Sequence, residues 1–151
     1  MSLKPIRQYL RDRLLSLDSN YVEHTDAFNT ENIGDLNLDK AFHIFYGQMD
    51  ASALNYLHTT DIVKATVNLY AKGYRDPIEA LDESMDFANK FRLECIKPAF
   101  ATTGQFIKNV VCRQIVASPI NKQNDNSIVV RLEFNITMIF GLSVNLSTDY
   151  P

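Results

Sequence analysis

The residues of this chain best suited to acid–base, nucleophilic or metal chemistry are three histidines, two cysteines and a run of carboxylates. Their spacing organises none of them into a site. His24 falls in a polar stretch, His43 lies in FHIFY and His58 in YLHTT, and no Cys, Asp or second His stands at a ligand-like interval from any of them. A structural hydrogen bond is the expectation for each. Cys95 and Cys112 match no zinc or redox spacing, and their apolar surroundings mark them as buried free thiols of a reducing compartment. The glycines, Gly34, Gly47, Gly73, Gly104 and Gly141, are dispersed, which leaves neither a phosphate-cradling loop nor a dinucleotide fingerprint. Glu79, Asp82, Glu83 and Asp86 cluster where a helix begins, and the positive end of its dipole accounts for them better than a metal does. Asn135-Ile136-Thr137 and Asn145-Leu146-Ser147 are glycosylation sequons, which carry meaning only in a secreted chain. Neighbouring residues therefore supply no catalytic, metal or cofactor site, and the expectation is a non-enzymatic protein.

Composition sets the class. With 151 residues, 46% hydrophobic and 22% charged, the chain is expected to form a single domain over 1–151. Fifteen basic against eighteen acidic residues give a net charge of -3, which argues against dedicated nucleic-acid binding. The opening MSLKPIRQYLRDR is broken by charge every few residues, so neither a signal peptide nor a membrane span is expected, and an intracellular soluble protein is.

The elements follow from periodicity. Leu3, Ile6, Leu10, Leu14 and Leu17 recur at helical steps and predict a helix over 3–17, with Lys4, Arg7 and Arg11 forming a basic stripe on the other side. A polar loop runs from Asp18 to Lys40, with a short strand at Tyr21 to His24. Strands are predicted over Ala41 to Gln48 and Asp61 to Tyr70, where Val63, Ala65, Val67 and Leu69 alternate with Lys64, Thr66 and Asn68. Asp76, Pro77 and Glu79 then occupy the N-cap, N1 and N3 positions of a second helix, whose apolar face reads Ile78, Leu81, Met85, Ala88, Phe91 and Cys95. Strands over Gln105 to Ala117 and Ser127 to Phe140 close the chain, joined by a polar loop from Ser118 to Asn126. In the last strand Ile128, Val130, Leu132, Phe134, Ile136, Met138 and Phe140 share one face. The order helix-strand-strand-helix-strand-strand predicts an α+β fold, a largely antiparallel sheet with both helices on one face.

Length adds a consequence. A strand of thirteen residues spans roughly 43 Å, more than the diameter of about 38 Å expected of a compact domain this size, so the C-terminal hairpin should project. Its first strand also sets Val110, Cys112 and Val116 against Ile107, Val111 and Ile115, which reads as apolar on both faces. A neighbouring copy is the simplest cover.

The segments IRQYLRDRLLSL, DLNLDKAFHIFYG, VNLYAKGYRDPIEALDESMDFA and NDNSIVVRLEFNI, in this order, resemble the tail terminator, or tail completion, proteins of long-tailed bacteriophages over nearly the whole chain. That resemblance implies a homo-oligomeric ring, usually of six subunits, which caps the tail tube protein, stops its polymerisation and meets a head-tail connector or neck protein, in a virion assembled in the host cytoplasm. DNA can pass through such a ring without specific binding, and no membrane or cofactor is implied. The family has no catalytic signature, so none is carried over. Partner contacts are expected at the hairpin loop, through Asn121, Lys122, Gln123, Asn124 and Asp125, at the long loop, through Asn32 and Asp35, and on the stripe of Lys4, Arg7 and Arg11. Two other readings remain open: another connector or neck protein, and a small oligomeric ligand-binding domain or enzyme whose site is built from residues distant in sequence.

Overall fold

The computed structural model describes residues 4–24, 39–55, 58–96, 105–122 and 125–141. Its elements are α1 (Lys4–Leu17), β1 (Val22–Glu23), β2 (Lys40–Asn55), β3 (His58–Tyr74), α2 (Pro77–Ile96), β4 (Gln105–Lys122) and β5 (Asp125–Gly141). The strands form one sheet in the order β1-β2-β3-β5-β4. Among the described strands the β1–β2 pair alone is parallel. Both helices lie on one face, as the patterning requires. Ile6, Leu10 and Leu14 of α1, with Ala88, Phe91 and Cys95 of α2, share one core with the inward residues of the strands. The even positions of β5 from Ile128 to Met138 are all buried in that core, and Phe91 meets Phe134 edge-on at 5.8 Å between ring centroids.

Capping fixes where α2 starts. Asp76 Oδ1 accepts the backbone N–H of Glu79 at 2.7 Å, and the Glu79 carboxylate reaches back to the backbone N–H of Arg75 at 2.9 Å. One donor that the first turn leaves without a helical partner, the Glu79 N–H, is thus satisfied, together with the N–H of the residue before the cap. At the other end of α2, the Tyr9 hydroxyl of α1 donates to the Cys95 carbonyl at 2.6 Å, satisfying one of the last acceptors of the helix. Burial raises the Tyr9 pKa above its ordinary value, which keeps the hydroxyl a donor.

Three sequence expectations need correction. The described residues of 118–126 are strand rather than loop, because Ser118, Pro119, Ile120, Asn121 and Lys122 pair with Val129, Ile128, Ser127, Asn126 and Asp125. Polar composition suggested a turn, but β4 is an edge strand, where polar side chains and a proline are tolerated. Second, α2 buries Ala80, Ser84, Ala88, Phe91 and Cys95, while Ile78 is 72% and Leu81 41% exposed. Small side chains at 80, 84 and 88 let the helix approach the sheet, so the larger apolar residues fall on its flank. Third, β4 is not apolar on both faces to the extent that strict alternation implies. Bulges between Ile107 and Asn109 and between Cys112 and Gln114 each insert one residue. They bring Ile107, Val110, Cys112 and Ile115 opposite Met138, Ile136, Phe134 and Leu132, all on the helix side. Val111 and Val116 alone of the six stay on the outer face.

The strands are longer than the sequence suggested. At about 3.3 Å per residue the 17 residues of β5 extend roughly 56 Å, whereas the 20 residues of α2 extend about 30 Å. Strand ends therefore reach past the helical layer. β3 accompanies β5 from Tyr74↔Asn126 to His58↔Gly141, so the C-terminal hairpin projects at one end and the β2–β3 hairpin at the other.

Candidate assembly surfaces

The sheet ends at β4, which pairs with β5 alone among the described strands. Its outer row of backbone groups is open over 18 residues. Beside it runs the flank of α2 that faces away from α1. The side toward α1 is marked by Phe87, stacked on Tyr21 at 5.1 Å, and by Glu94, bridged to Arg13 at 3.5 Å. Helical steps put Ile78, Leu81, Met85, Arg92 and Ile96 on the opposite flank. Ile78, Leu81 and Ile96 are exposed there, and Val111 is exposed on the outer face of β4. Apolar side chains thus flank an open strand edge.

At the opposite end of the sheet, β1 covers Ala41 and Phe42 of β2, and among the described residues the remainder of β2 is also an edge. Leu17, Val22, Phe45 and Met49 are exposed on this side. The basic stripe of α1 lies here too. Arg7 bridges Glu23 at 3.2 Å and stands 5.6 Å from the Tyr46 ring centroid, and Arg11 reaches Glu23 at 3.5 Å. These pairs tether α1 to β1 while leaving both guanidinium groups about half exposed. Nearby, Lys40 meets Asp18 at 2.6 Å. Burial alone would raise the Asp18 carboxyl, but the Lys40 ammonium and the Asn20 backbone N–H outweigh it and hold the pKa below its ordinary value.

The face of the sheet away from the helices holds a hollow of about 320 Å³ between the Gly47 bulge of β2 and the Arg113 bulge of β4, lined chiefly by Gln48, Lys64, Thr66, Arg113, Glu133 and Asn135. Arg131 lies beside Glu133 at 3.6 Å on the same face. A mixed-charge, largely polar lining of this kind lacks the apolar walls typical of a small-molecule pocket.

Of the expected contact residues, Arg7 and Arg11 come together on Glu23. Lys4 begins α1, at the end of the helix away from Leu17. Asn121 and Lys122 close β4 and Asp125 opens β5, so these three form the hairpin tip; Gln123 and Asn124, like Asn32 and Asp35, lie outside the described residues. The tip and the basic stripe are separate surfaces. His43 is held structurally, its Nδ1–H donating to the His24 carbonyl at 2.9 Å, since a carbonyl can only accept. His24 in turn donates its backbone N–H to Phe42 at 2.8 Å, and the side chain of His58 lies outside the described residues. Cys95 and Cys112 are free, and burial pushes both thiols above their ordinary pKa. Among the described residues no group of three or more His, Cys, Asp or Glu is placed to hold a metal, and no helix is long and apolar enough to cross a membrane.

One residue escaped the sequence reading. Asp61 is 3% exposed, and its Oδ1 has no hydrogen-bond partner. It sits in phase with Val63, Ala65 and Val67, opposite Met138, on the apolar face. That phase, a carboxylate on the buried side of an alternating strand, was the available signal.

No protein-family model matches the sequence, and no curated protein matches it. Among solved structures, a chain from "Virion of native gene transfer agent (GTA) particle" superposes with a TM-score of 0.45 at 9% identity, covering 89% of this chain and 92% of that one. At that score and identity the likeness bears on neither fold nor role.

Proposed function

We propose that this protein is a structural virion component of a long-tailed bacteriophage that assembles into a closed ring, six copies by family resemblance, on the end of the tail tube. The ring stops tube polymerisation and gives the head or neck a surface to join. One observation carries the reading: the sheet ends in an open 18-residue strand flanked by exposed Ile78, Leu81 and Ile96 of α2. An edge of that length with an apolar border is a surface for another chain. The motif resemblance, from IRQYLRDRLLSL to NDNSIVVRLEF, supplies the identity of the assembly.

On this reading the projecting ends of the sheet face the neighbours along the tail axis. Asn121, Lys122 and Asp125 at the hairpin tip, with Gln123 and Asn124 between them in sequence, meet the tube or the neck; the segment bearing Asn32 and Asp35, which enters β2 at Lys40 near that same end, adds to this surface, and the β2–β3 hairpin meets the other neighbour. Copies meet laterally, which leaves the polar outer face available to line or ring a passage for DNA without reading its sequence. The experiment is a capping assay. Purified protein added to polymerising tail tubes should arrest elongation and appear by electron microscopy as a ring with a central hole at one tube end. Tubes that grow to unchanged length, with no ring at either end, overturn the proposal.

A further inference from the structure

We propose that the outer face of the sheet holds a groove for an extended acidic segment of a partner protein, in the pattern apolar-x-acidic-x-apolar. The proposal stands on the groove alone and does not require the ring. Its origin lies in the register. Outward side chains form rows across the strands, and Phe45, Thr66, Glu133 and Gln114 make one such row. Gln48, Lys64, Asn135 and Val111 make the next. Between these two rows both outer strands carry an extra residue, Gly47 of β2 and Arg113 of β4. Bulges in the same interval spread the rows at both ends, and the hollow of about 320 Å³ lies in that interval. A Cβ added at Gly47 would meet nothing within 4 Å, and the backbone there is not left-handed, so neither crowding nor conformation within the chain demands glycine. The space above it is open to an incoming chain.

Charge selects the occupant. Lys64 and Arg113 line the hollow and have no hydrogen-bond or ion-pair partner among the described residues, whereas Glu133, the carboxylate of the lining, lies 3.6 Å from Arg131. A carboxylate placed above Asn135 of β5 sits between β3 and β4, the strands that carry the two free cations. The carboxylates of α2 are on the other side of the sheet, and salt screens charge beyond about 10 Å, so the net charge of -3 does not cancel this local sign. Both ends of the groove are apolar, with Phe45 38% exposed on β2 and Val111 46% exposed on β4. Three interstrand spacings separate these strands, about 14 Å in all, which an extended chain covers in about four residue steps. Residues i, i+2 and i+4 of such a chain face the sheet together. Its apolar ends therefore meet Phe45 and Val111 while its central acid meets Lys64 and Arg113. Thr66, Gln114 and Asn135 offer donors and acceptors to its backbone. Duplex nucleic acid fits worse, because two cations are few for a phosphate backbone and Glu133, with Asp50 in the adjoining row, repels it.

The test titrates the isotopically labelled full chain with acetyl-Leu-Thr-Asp-Thr-Leu-amide, and with the same peptide carrying asparagine for aspartate, while amide resonances are followed. The acidic peptide should shift the amides of Lys64, Thr66, Val111 and Asn135 with a dissociation constant on the order of 1 mM. The neutral peptide should bind about tenfold more weakly or worse. Lys64→Glu with Arg113→Glu should weaken the acidic peptide by a similar factor, and Lys64→Gln with Arg113→Gln serves if circular dichroism shows that charge reversal disturbs the fold. Gly47→Leu should weaken it without any change of charge, by filling the hollow. Glu133→Gln should tighten it, because a like charge leaves the groove. Absence of shifts at about 10 mM peptide, shifts confined to residues outside the groove, or equal binding of the neutral peptide would each overturn the proposal. A short DNA duplex that moves the same amides at lower concentration would reassign the groove to nucleic acid. A double variant that alters self-association while wild type ignores the peptide would reassign the face to contact between copies. Either result overturns the proposal and leaves the ring reading intact.

Discussion

The bulges of β4 make two single-residue deletions behave oppositely. Arg113 is the extra residue between Cys112, opposite Phe134, and Gln114, opposite Glu133. Removing it leaves 112 and 114 adjacent and facing 134 and 133, so the ladder becomes regular and every inward side chain keeps its face. The loss is local curvature, on the order of 1 kcal/mol. Asn135 of β5 has no such slack, since it pairs with Lys64 on one side and Val111 on the other. Its deletion makes Phe134 and Ile136 consecutive, and one of the two flanking segments must turn outward. The cheaper choice exposes Ile136 and Met138, both fully buried. At roughly 1.5–3 kcal/mol per side chain that amounts to about 3–6 kcal/mol, a large share of the stability of a domain whose total is roughly 5–15 kcal/mol. Turning out Ile128, Val130, Leu132 and Phe134 instead would cost about twice as much. Urea denaturation followed by far-ultraviolet circular dichroism should show the Arg113 deletion unfolding near the wild-type midpoint and the Asn135 deletion unfolding at a much lower urea concentration. Equal destabilisation by the two, or the reverse order, would refute the bulge assignment.

Other expectations follow from single groups. Asp76→Ala should lower stability by about 1 kcal/mol through loss of the α2 cap, measured by the same denaturation, and Asp76→Asn should restore most of it. Asp61→Leu should raise the midpoint rather than lower it, because it removes a buried carboxylate oxygen without a partner; a clear loss of stability would mean that Asp61 is engaged. Asp18 has a folded pKa below its unfolded value, so its contribution is present above the unfolded pKa and fades as pH falls through the folded one. Asp18→Asn should accordingly reduce stability at neutral pH and flatten its decline in the acid range, and an unchanged slope there would contradict the Lys40 pairing. Thiol titration of the native protein should find Cys95 unreactive and Cys112 slow, with both reacting promptly after unfolding.

Where the sequence was legible, one local rule acted alone. The alternation of β5 is unbroken, so its buried face could be read residue by residue, and Asp76-Pro77 with Glu79 announced a helix start through backbone chemistry that needs no tertiary context. Where two rules overlapped, the reading failed. Two extra residues scramble the period of β4, making a one-sided strand look two-sided. In α2 the large apolar residues outweigh Ala80 and Ser84 in any periodicity, although close approach to the sheet favours the small ones. The polar end of β4 looked like a loop because an edge strand at the sheet's tip has no apolar requirement. Of the candidate surfaces, the basic stripe was visible in Arg7 and Arg11, but its anchorage on Glu23 depends on β1 lying parallel to β2. Which strand ends the sheet is a property of the order β1-β2-β3-β5-β4, and that order has no local signature.

Self-assembly into a closed ring is the claim on which the rest depends, and native mass spectrometry of the purified chain, alone and after release from tail tubes, tests it most directly. A single dominant species at one integral multiple of 17.2 kDa, six by family resemblance, is the predicted result. A monomer under both conditions, or an open ladder of multiples with no preferred closed state, would contradict it.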